Sequence, residues 1–553
     1  MKKIHVSFTV FTLLSLLILS CNQQKKTDPS AKQSVKSASA VKEKKTYETG
    51  ESLVSILNAF PGSIQDFKAE NPEKIKSVVI NDEKKSPFND GHFTGWGTSL
   101  CWWGNRVGYD DELSQQCASL FFSADDGIGF SIARYNIGGG DDPSHHHITR
   151  TDSAMPGWAV YNADDKTFEY NFDSDYNQRN VLKRIEELGN ENLVVEVFSN
   201  SPPYFMTVSG CSSGGPLGSD SNLRPDQVDN FADYLATVTE HLEKSGIRVT
   251  SLEPMNEPGS VYWGAYSTKQ EGCRFAVGEE QSTLILAVRK ALDNHNLLHV
   301  KISASDETST DDAYLSYNAL DESAKKTVSR INTHTYNGKE LERLRNLAAD
   351  EQKDLWMSET DGNGVAGSSA GEMGAALWLA KKIIRDMAGL RPSAWVIWQA
   401  IDSHVSSEGY NGNVDGGAPD LNGGYWGLAT ANHNRKNIIL TKKYYAFGQF
   451  SKYIRPQSVM LYTERDNVLA AYCEKENCLV IVALNEFANE QAYSFDISKY
   501  VSGDSYARAV RSSGSRRNGE NLYLLQEGFA VKNGNLTVPL APNSITTFII
   551  PLP

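Results

Sequence analysis

The chain has 553 residues, 40% of them hydrophobic and 22% charged, which leaves room for one large globular domain and a smaller companion. Its formal net charge of −14 argues against nucleic acid and an anionic membrane surface as partners, and it is compatible with a neutral polymer. Aromatic residues make up 10%, with ten Trp, and such rings can lie against the apolar faces of sugars as well as fill a core.

Residues 1–21 read as a processing segment. Lys2 and Lys3 form a positive start, an apolar run follows through Leu19, and the run is too short for a membrane span. It ends ILSC, which resembles the lipobox of bacterial lipoprotein signal peptides, with Cys21 as the lipidated residue. Residues 22–50 are rich in Lys, Ser, Gln and Ala and form a flexible tether. Asn22 stands where an inner-membrane retention signal would have Asp, so the expected location is the outer membrane, with the lipid as the only membrane contact.

Residues 50–75 are amphipathic and have no evident role, whereas KSVVIND (76–82) reads as a strand. From Phe93 eight strand-like runs recur: 93–100, 129–137, 193–202, 249–257, 300–307, 330–337, 354–361 and 394–402. Helical patterns separate them. Between 225 and 246, Val228, Phe231, Leu235, Val238 and Leu242 recur at spacings of three and four, opened by Pro225 and closed by Gly246; 280–293 and 373–388 behave alike. This alternation predicts an α/β fold, a (β/α)8 TIM barrel over 90–443. An open doubly wound sheet is the alternative, weakened by the lack of a GxGxxG turn after the first strand. After about Lys443 the helical period is expected to vanish, and short alternating runs predict an appended antiparallel β-sandwich over 444–553, joined by 76–82.

Two of the barrel runs end in carboxylates, Glu257 in LEPMNEP (252–258) and Glu359 in LWMSETDG (355–362). Barrels carry chemistry at the C-terminal ends of their strands, and two facing acids are the minimal equipment for glycosidic cleavage. Asn256 is a neutral donor beside the first acid, Arg134 a cation able to keep a nucleophile ionised, and His334 and Tyr336 lateral hydrogen-bond partners. Trp102, Trp103, Tyr204, Trp398 and Trp426 are candidate sugar platforms, and Asn136, Asn200 and Ser201 candidate hydroxyl readers, with Asp141 and Asp142 open between that role and solvent. Trp356 and Trp395 read as core. The Gly-rich loops 147–158 and 411–427 are expected on the same face.

Seven Cys leave six once Cys21 is set aside. Cys473 and Cys478 suit a staple across a hairpin, and Cys211 and Cys273 are a second candidate pair. No zinc spacing is present, the tract His145–His147 reads as a polar loop, and no cofactor motif occurs.

FTGWGTSLCWWG (93–104), IARYNIGGG (132–140), FSNSPPYFM (198–206), LEPMNEP and GQFSKYIRP (448–456) together resemble glycoside hydrolase family 30, from about Phe93 to the C-terminus. The resemblance implies a retaining O-glycosyl hydrolase with Glu257 as acid/base and Glu359 as nucleophile, and it also carries the appended sandwich. GWGTSLCWW and SNSPPYFMTVSGCSSG look most like the endo-β-1,6-galactanase branch, with β-1,6-glucanase and xylanase branches as alternatives. A glycan is then the expected partner of a monomer. A capture lipoprotein without activity is the competing reading, and retention of both acids speaks against it.

Overall fold

The computed structural model describes residues 47–362, 369–406 and 426–553. The signal segment, Cys21, the tether through residue 46 and residues 411–425 of the second Gly-rich loop lie outside them. Among the described residues no helix is long and apolar enough to cross a membrane.

Eight parallel strands close into a barrel: β1 Gly95–Ser99, β2 Ile132–Asn136, β3 Val194–Phe198, β4 Val249–Glu253, β5 Lys301–Ser309, β6 Val328–Asn337, β7 Asp354–Glu359 and β8 Ala394–Gln399. Each pairs with its chain neighbours, and β8 closes on β1 through Ala394 beside Gly95. β1, β2 and β8 are buried along their whole length, so they show no alternation of buried and exposed positions. The helices Val228–Lys244, Glu279–Asn294 and Met373–Leu390 bury the apolar stripes that their spacing predicts. Pro225 opens a short 3-10 turn before the first of them, and Gly246 follows it with φ +93°, a conformation suited to glycine.

The second unit is one long sheet folded over itself, predominantly antiparallel. Ser505–Ser513 belongs to both layers: Ser505, Tyr506 and Ala507 pair with Val531, Ala530 and Phe529, while Arg508 to Ser512 pair with Ile549 to Ile545. Val78, Leu461, Ile481, Phe495, Phe529 and Phe548 fill the space between the layers. Lys76–Val79 runs parallel to Gln491–Asp496, and Ser63–Gln65 parallel to the strand Glu527–Lys532, so the start of the described chain completes a sheet made by its end.

The helical period does not stop at Lys443. A helix spans Lys442–Ser451, and all ten of its residues are buried. Phe447 meets the rings of Trp96, Phe130 and Trp395 on the barrel side. On the sandwich side Gln449 Nε2 donates to Ser512 Oγ at 2.8 Å, and Thr547 Oγ1 donates to the Gln449 carbonyl at 2.9 Å. A helix wrapped on every side has no polar face, so its sequence shows no stripe.

The six described cysteines are free thiols, which corrects both expected pairings. Cys473 and Cys478 stand opposite each other in the ladder, and Ser458 Oγ donates to Cys473 Sγ at 3.2 Å. Cys211 and Cys273 are both buried and unlinked, although their segments meet where the Gly272 N–H donates to the Ser212 carbonyl at 2.9 Å; Cys273 Sγ donates to the Arg274 carbonyl at 3.6 Å.

Candidate active site

β4 ends at Glu253, and Pro254 forces the chain out of the sheet toward Glu257. Glu257 has φ +47°, and its backbone N–H donates at 2.9 Å to the carbonyl of Asp306, itself at φ +56° within β5. Two non-glycine residues in this sparsely populated region, tied by one hydrogen bond, store strain where side-chain direction matters. Glu359 is the last residue of β7, and a register shift between β6 and β7 sets His334 directly beside it.

His334 joins the two acids. Its Nδ1 lies 3.1 Å from Glu257 Oε1 and 3.5 Å from Glu359 Oε1. One ring nitrogen of His334 and one oxygen of each glutamate all fall within 4.8 Å of one another. Tyr262 OH donates to Glu257 Oε2, and Tyr336 OH donates to Glu359 Oε1 at 3.0 Å. Arg134 rises from β2 beneath them, with NH1 3.6 Å from Glu359 Oε2 and NH2 2.6 Å from Asp306 Oδ2. Its Nε pairs with Glu196 of β3 at 2.9 Å, and Glu196 also holds Arg330.

Charge follows from this packing. Burial alone would lower the proton affinity of His334, but Glu359, Asp306 and Glu257 outweigh it and raise its pKa well above the usual imidazole value. Burial pushes the Glu359 carboxyl up to about 7; His334 and Arg134 pull it down, and Glu257 pushes it up. Asp306 is the reverse case: burial would raise it, yet Arg134 and His334 hold it well below the usual carboxylate range. Among the described residues Glu257, His334 and Glu359 have the spacing of metal ligands. The guanidinium at 3.6 Å and the raised proton affinity of His334 both work against a cation there.

A cavity of about 470 Å³ opens above the acids. Trp102, Asn256, Tyr336, Trp398 and Trp426 line it together with Glu257 and Glu359. Trp102 and Trp398 meet edge to face at 5.1 Å, and Trp426 stacks on Tyr336 at 5.8 Å. Arg134 and His334 lie fully buried below.

The other predicted contacts sit elsewhere. Trp103 is buried in the core, where Nε1 donates to the Ser99 carbonyl at 2.7 Å, so it offers sugar no face. Asn136 is buried under the site, and its neighbour there is the buried Glu271. Asn200 Nδ2 turns to Cys101 Sγ at 3.7 Å, Ser201 Oγ donates to the Pro202 carbonyl, and Tyr204 packs edge-on against Phe205. The chain after β3 turns these groups inward or away, a direction that strand spacing alone does not fix. His147 pairs with Asp141 at 2.6 Å and His145 with Asp142 at 3.1 Å, as a hydrogen-bonded polar loop. Trp356 lies under the Arg330 guanidinium, and Trp395 against Phe447, both in the core.

Reasoning from sequence missed Asp306, Tyr262 and Glu196. Asp306 and Glu307 are consecutive acids inside a buried run, which is costly without partners and was a usable signal. Tyr262 gave none, because its reach depends on the turn after Pro258.

Residues 77–334 match O-glycosyl hydrolase family 30, and residues 275–418 match glycosyl hydrolase family 59. The chain is 30% identical over 488 residues to an endo-β-1,6-galactanase of Hypocrea rufa, covering 83% of this chain and 92% of that protein. It is 25% identical over 533 residues to an exo-β-1,6-galactobiohydrolase of Bifidobacterium longum subsp. longum, covering 75% of this chain but 35% of that longer protein. In three dimensions it is similar to the catalytic domain of the family 30 xylanase C of Talaromyces cellulolyticus, with TM-score 0.62, 18% identity, and coverage of 86% and 100%. With that 30% identity to the galactanase over most of both chains, beside the closed barrel and its sheet domain, the chain belongs to glycoside hydrolase family 30 and is an O-glycosyl hydrolase.

Proposed function

We propose that this enzyme is a retaining endo-β-1,6-galactanase that cuts arabinogalactan side chains by double displacement. The carrying observation is the approach of the two acids: one oxygen of each lies within 4.8 Å of the other. The carboxyl groups of a retaining pair stand roughly 5–5.5 Å apart, whereas those of an inverting pair need about 6.5–9.5 Å to admit water between carboxylate and sugar; nearest oxygens within 4.8 Å of each other fit the shorter spacing. The 30% identity to an endo-β-1,6-galactanase over 83% of this chain supports the substrate.

In this reading Glu359 is the nucleophile. It sits deeper, with Arg134, His334 and Tyr336 around it to stabilise the ionised form. Glu257 protonates the departing oxygen, the bond to the anomeric carbon breaks, and Glu359 closes a glycosyl ester on that carbon. Glu257, now ionised, takes a proton from water as it attacks the ester, which restores both groups. From the pattern of residues 1–21 we also propose a lipid anchor at Cys21 on the outer membrane, and a monomer.

The test is a product profile of a form lacking residues 1–47 on de-arabinosylated β-1,6-galactan, β-1,6-glucan and glucuronoxylan. A ladder of short galacto-oligosaccharides from the first polymer alone is expected. Disaccharide as the sole product would replace endo by exo action, and release from glucan or xylan would move the substrate.

The acid limb follows from Glu359. Its carboxyl, pushed up to about 7, is protonated and unreactive below that pH and ionised above it. kcat/KM should therefore fall about tenfold per pH unit below roughly 7. A profile flat down to pH 5 would contradict this.

A further inference from the structure

On one flank of the cavity, polar atoms without protein partners gather beside the glutamates. Gln399 and Trp102 are 1% and 3% exposed, and both line the cavity. Gln399 Oε1 and Trp102 Nε1 have no hydrogen-bond partner among the described residues. Buried polar groups in native proteins are almost always paired, so an unpaired acceptor and donor set just beneath the cavity surface call for a ligand that reaches in and supplies both. A sugar hydroxyl does so, because it donates and accepts at once.

The orientation of the amide is fixed. Gln399 Nε2 donates to Asp402 Oδ1 at 2.7 Å, and an ionised carboxylate only accepts. The amide nitrogen must therefore face Asp402 and Oε1 must face away from it. Asp402 is itself placed by two groups: Arg150 NH2 donates to Oδ1 at 3.2 Å, and the Trp426 N–H donates to Oδ2 at 3.2 Å. Arg150 is clamped by Asp152 at 2.6 and 2.8 Å and lies over the Trp102 ring at 4.7 Å. The series Asp152–Arg150–Asp402–Gln399 thus carries a rigid arrangement to one acceptor atom.

We propose that Gln399 Oε1 and Trp102 Nε1 form a hydroxyl-reading subsite for the galactosyl unit on the non-reducing side of the cut, with Asp402 and Arg150 as positioning residues. Gln399 ends β8, the neighbour of the Glu359 strand, so it faces the sugar that the nucleophile attacks and not the leaving group. The proposal rests on the galactanase reading for the identity of that sugar.

The test uses the Glu359→Gln enzyme, which binds without turnover, and measures β-1,6-galactotriose affinity by calorimetry. Adding Gln399→Leu should raise Kd about tenfold or more, because one hydrogen bond is lost and the sugar hydroxyl is left unpaired. Adding Asp402→Asn, which lets the Gln399 amide turn over, should weaken binding less. In the active enzyme it should raise KM more than it lowers kcat and narrow the preference for galactan over β-1,6-glucan. Values of Kd within twofold of the parent in both variants, with unchanged unfolding midpoints, would overturn the subsite. Should Gln399→Leu fail to fold, the Asp402→Asn result decides alone. Hydrolysis of glucan in place of galactan by the parent would instead overturn the substrate reading, and the same two substitutions, read with a gluco-oligosaccharide, would still decide the subsite.

Discussion

Replacing Glu359 by Gln is expected to lower kcat on galactan by on the order of 10⁴-fold or more while leaving sugar binding in place. Gln keeps the shape of the side chain and can still accept from Tyr336, whose hydroxyl now lies 3.0 Å from Glu359 Oε1. It cannot form a glycosyl ester. Glu257→Gln should differ in kind. With the polymer, both steps slow, because neither the leaving oxygen nor the attacking water exchanges its proton. With a dinitrophenyl galactoside, whose leaving group needs no proton, the first step survives and the second does not. A burst of dinitrophenol and a protein heavier by one sugar should then be seen by stopped flow and mass spectrometry. The same mass gain on Glu359→Gln, or its absence on Glu257→Gln, would reverse the two roles.

Lys443→Ala is expected to destabilise the protein by about 3–5 kcal/mol, the usual consequence of removing one partner of a buried ion pair. Lys443 Nζ lies 2.7 Å from Asp361 Oδ1, and neither side chain is exposed. Burial pushes the Asp361 carboxyl up and Lys443 pulls it down, so the substitution leaves an uncompensated acid two residues beyond Glu359. The same carboxylate accepts the Gly427 N–H at 2.6 Å, which fastens the chain entering the cavity wall at Trp426. Activity should fall with stability. Lys443→Met combined with Asp361→Asn should recover part of the loss, since the amide oxygen still accepts from backbone while no charge is buried. A urea-derived loss below about 1 kcal/mol for Lys443→Ala would show that water reaches Asp361.

Much of this architecture was legible because barrel strands and amphipathic helices advertise themselves locally. Each of the eight barrel strands lies within or close to a run read from the sequence, and Glu257 and Glu359 line one cavity. What escaped depends on direction or on distant partners. Trp102 and Trp103 are neighbours in the chain, yet one lines the cavity and the other fills the core. Asp306 was inside a recognised strand, but its link to Arg134 crosses 172 positions. The helix Lys442–Ser451 was hidden because complete burial erases the alternation that reveals other helices.

The strands Ser63–Gln65 and Lys76–Val79 find their partners in 527–529 and 493–496. In the order of synthesis they precede the barrel, and the segments they pair with are made only after the whole barrel has been translated. Their backbone groups and the apolar side of Val78 must wait through most of elongation before the sheet can close. Closing so long a loop carries an entropic cost that grows only slowly with length, so the delay is one of order and not of final stability. The N-terminal strands thus act as a late clasp: until the last stretch of chain arrives, the newborn polypeptide carries an open sheet edge that invites unintended pairing.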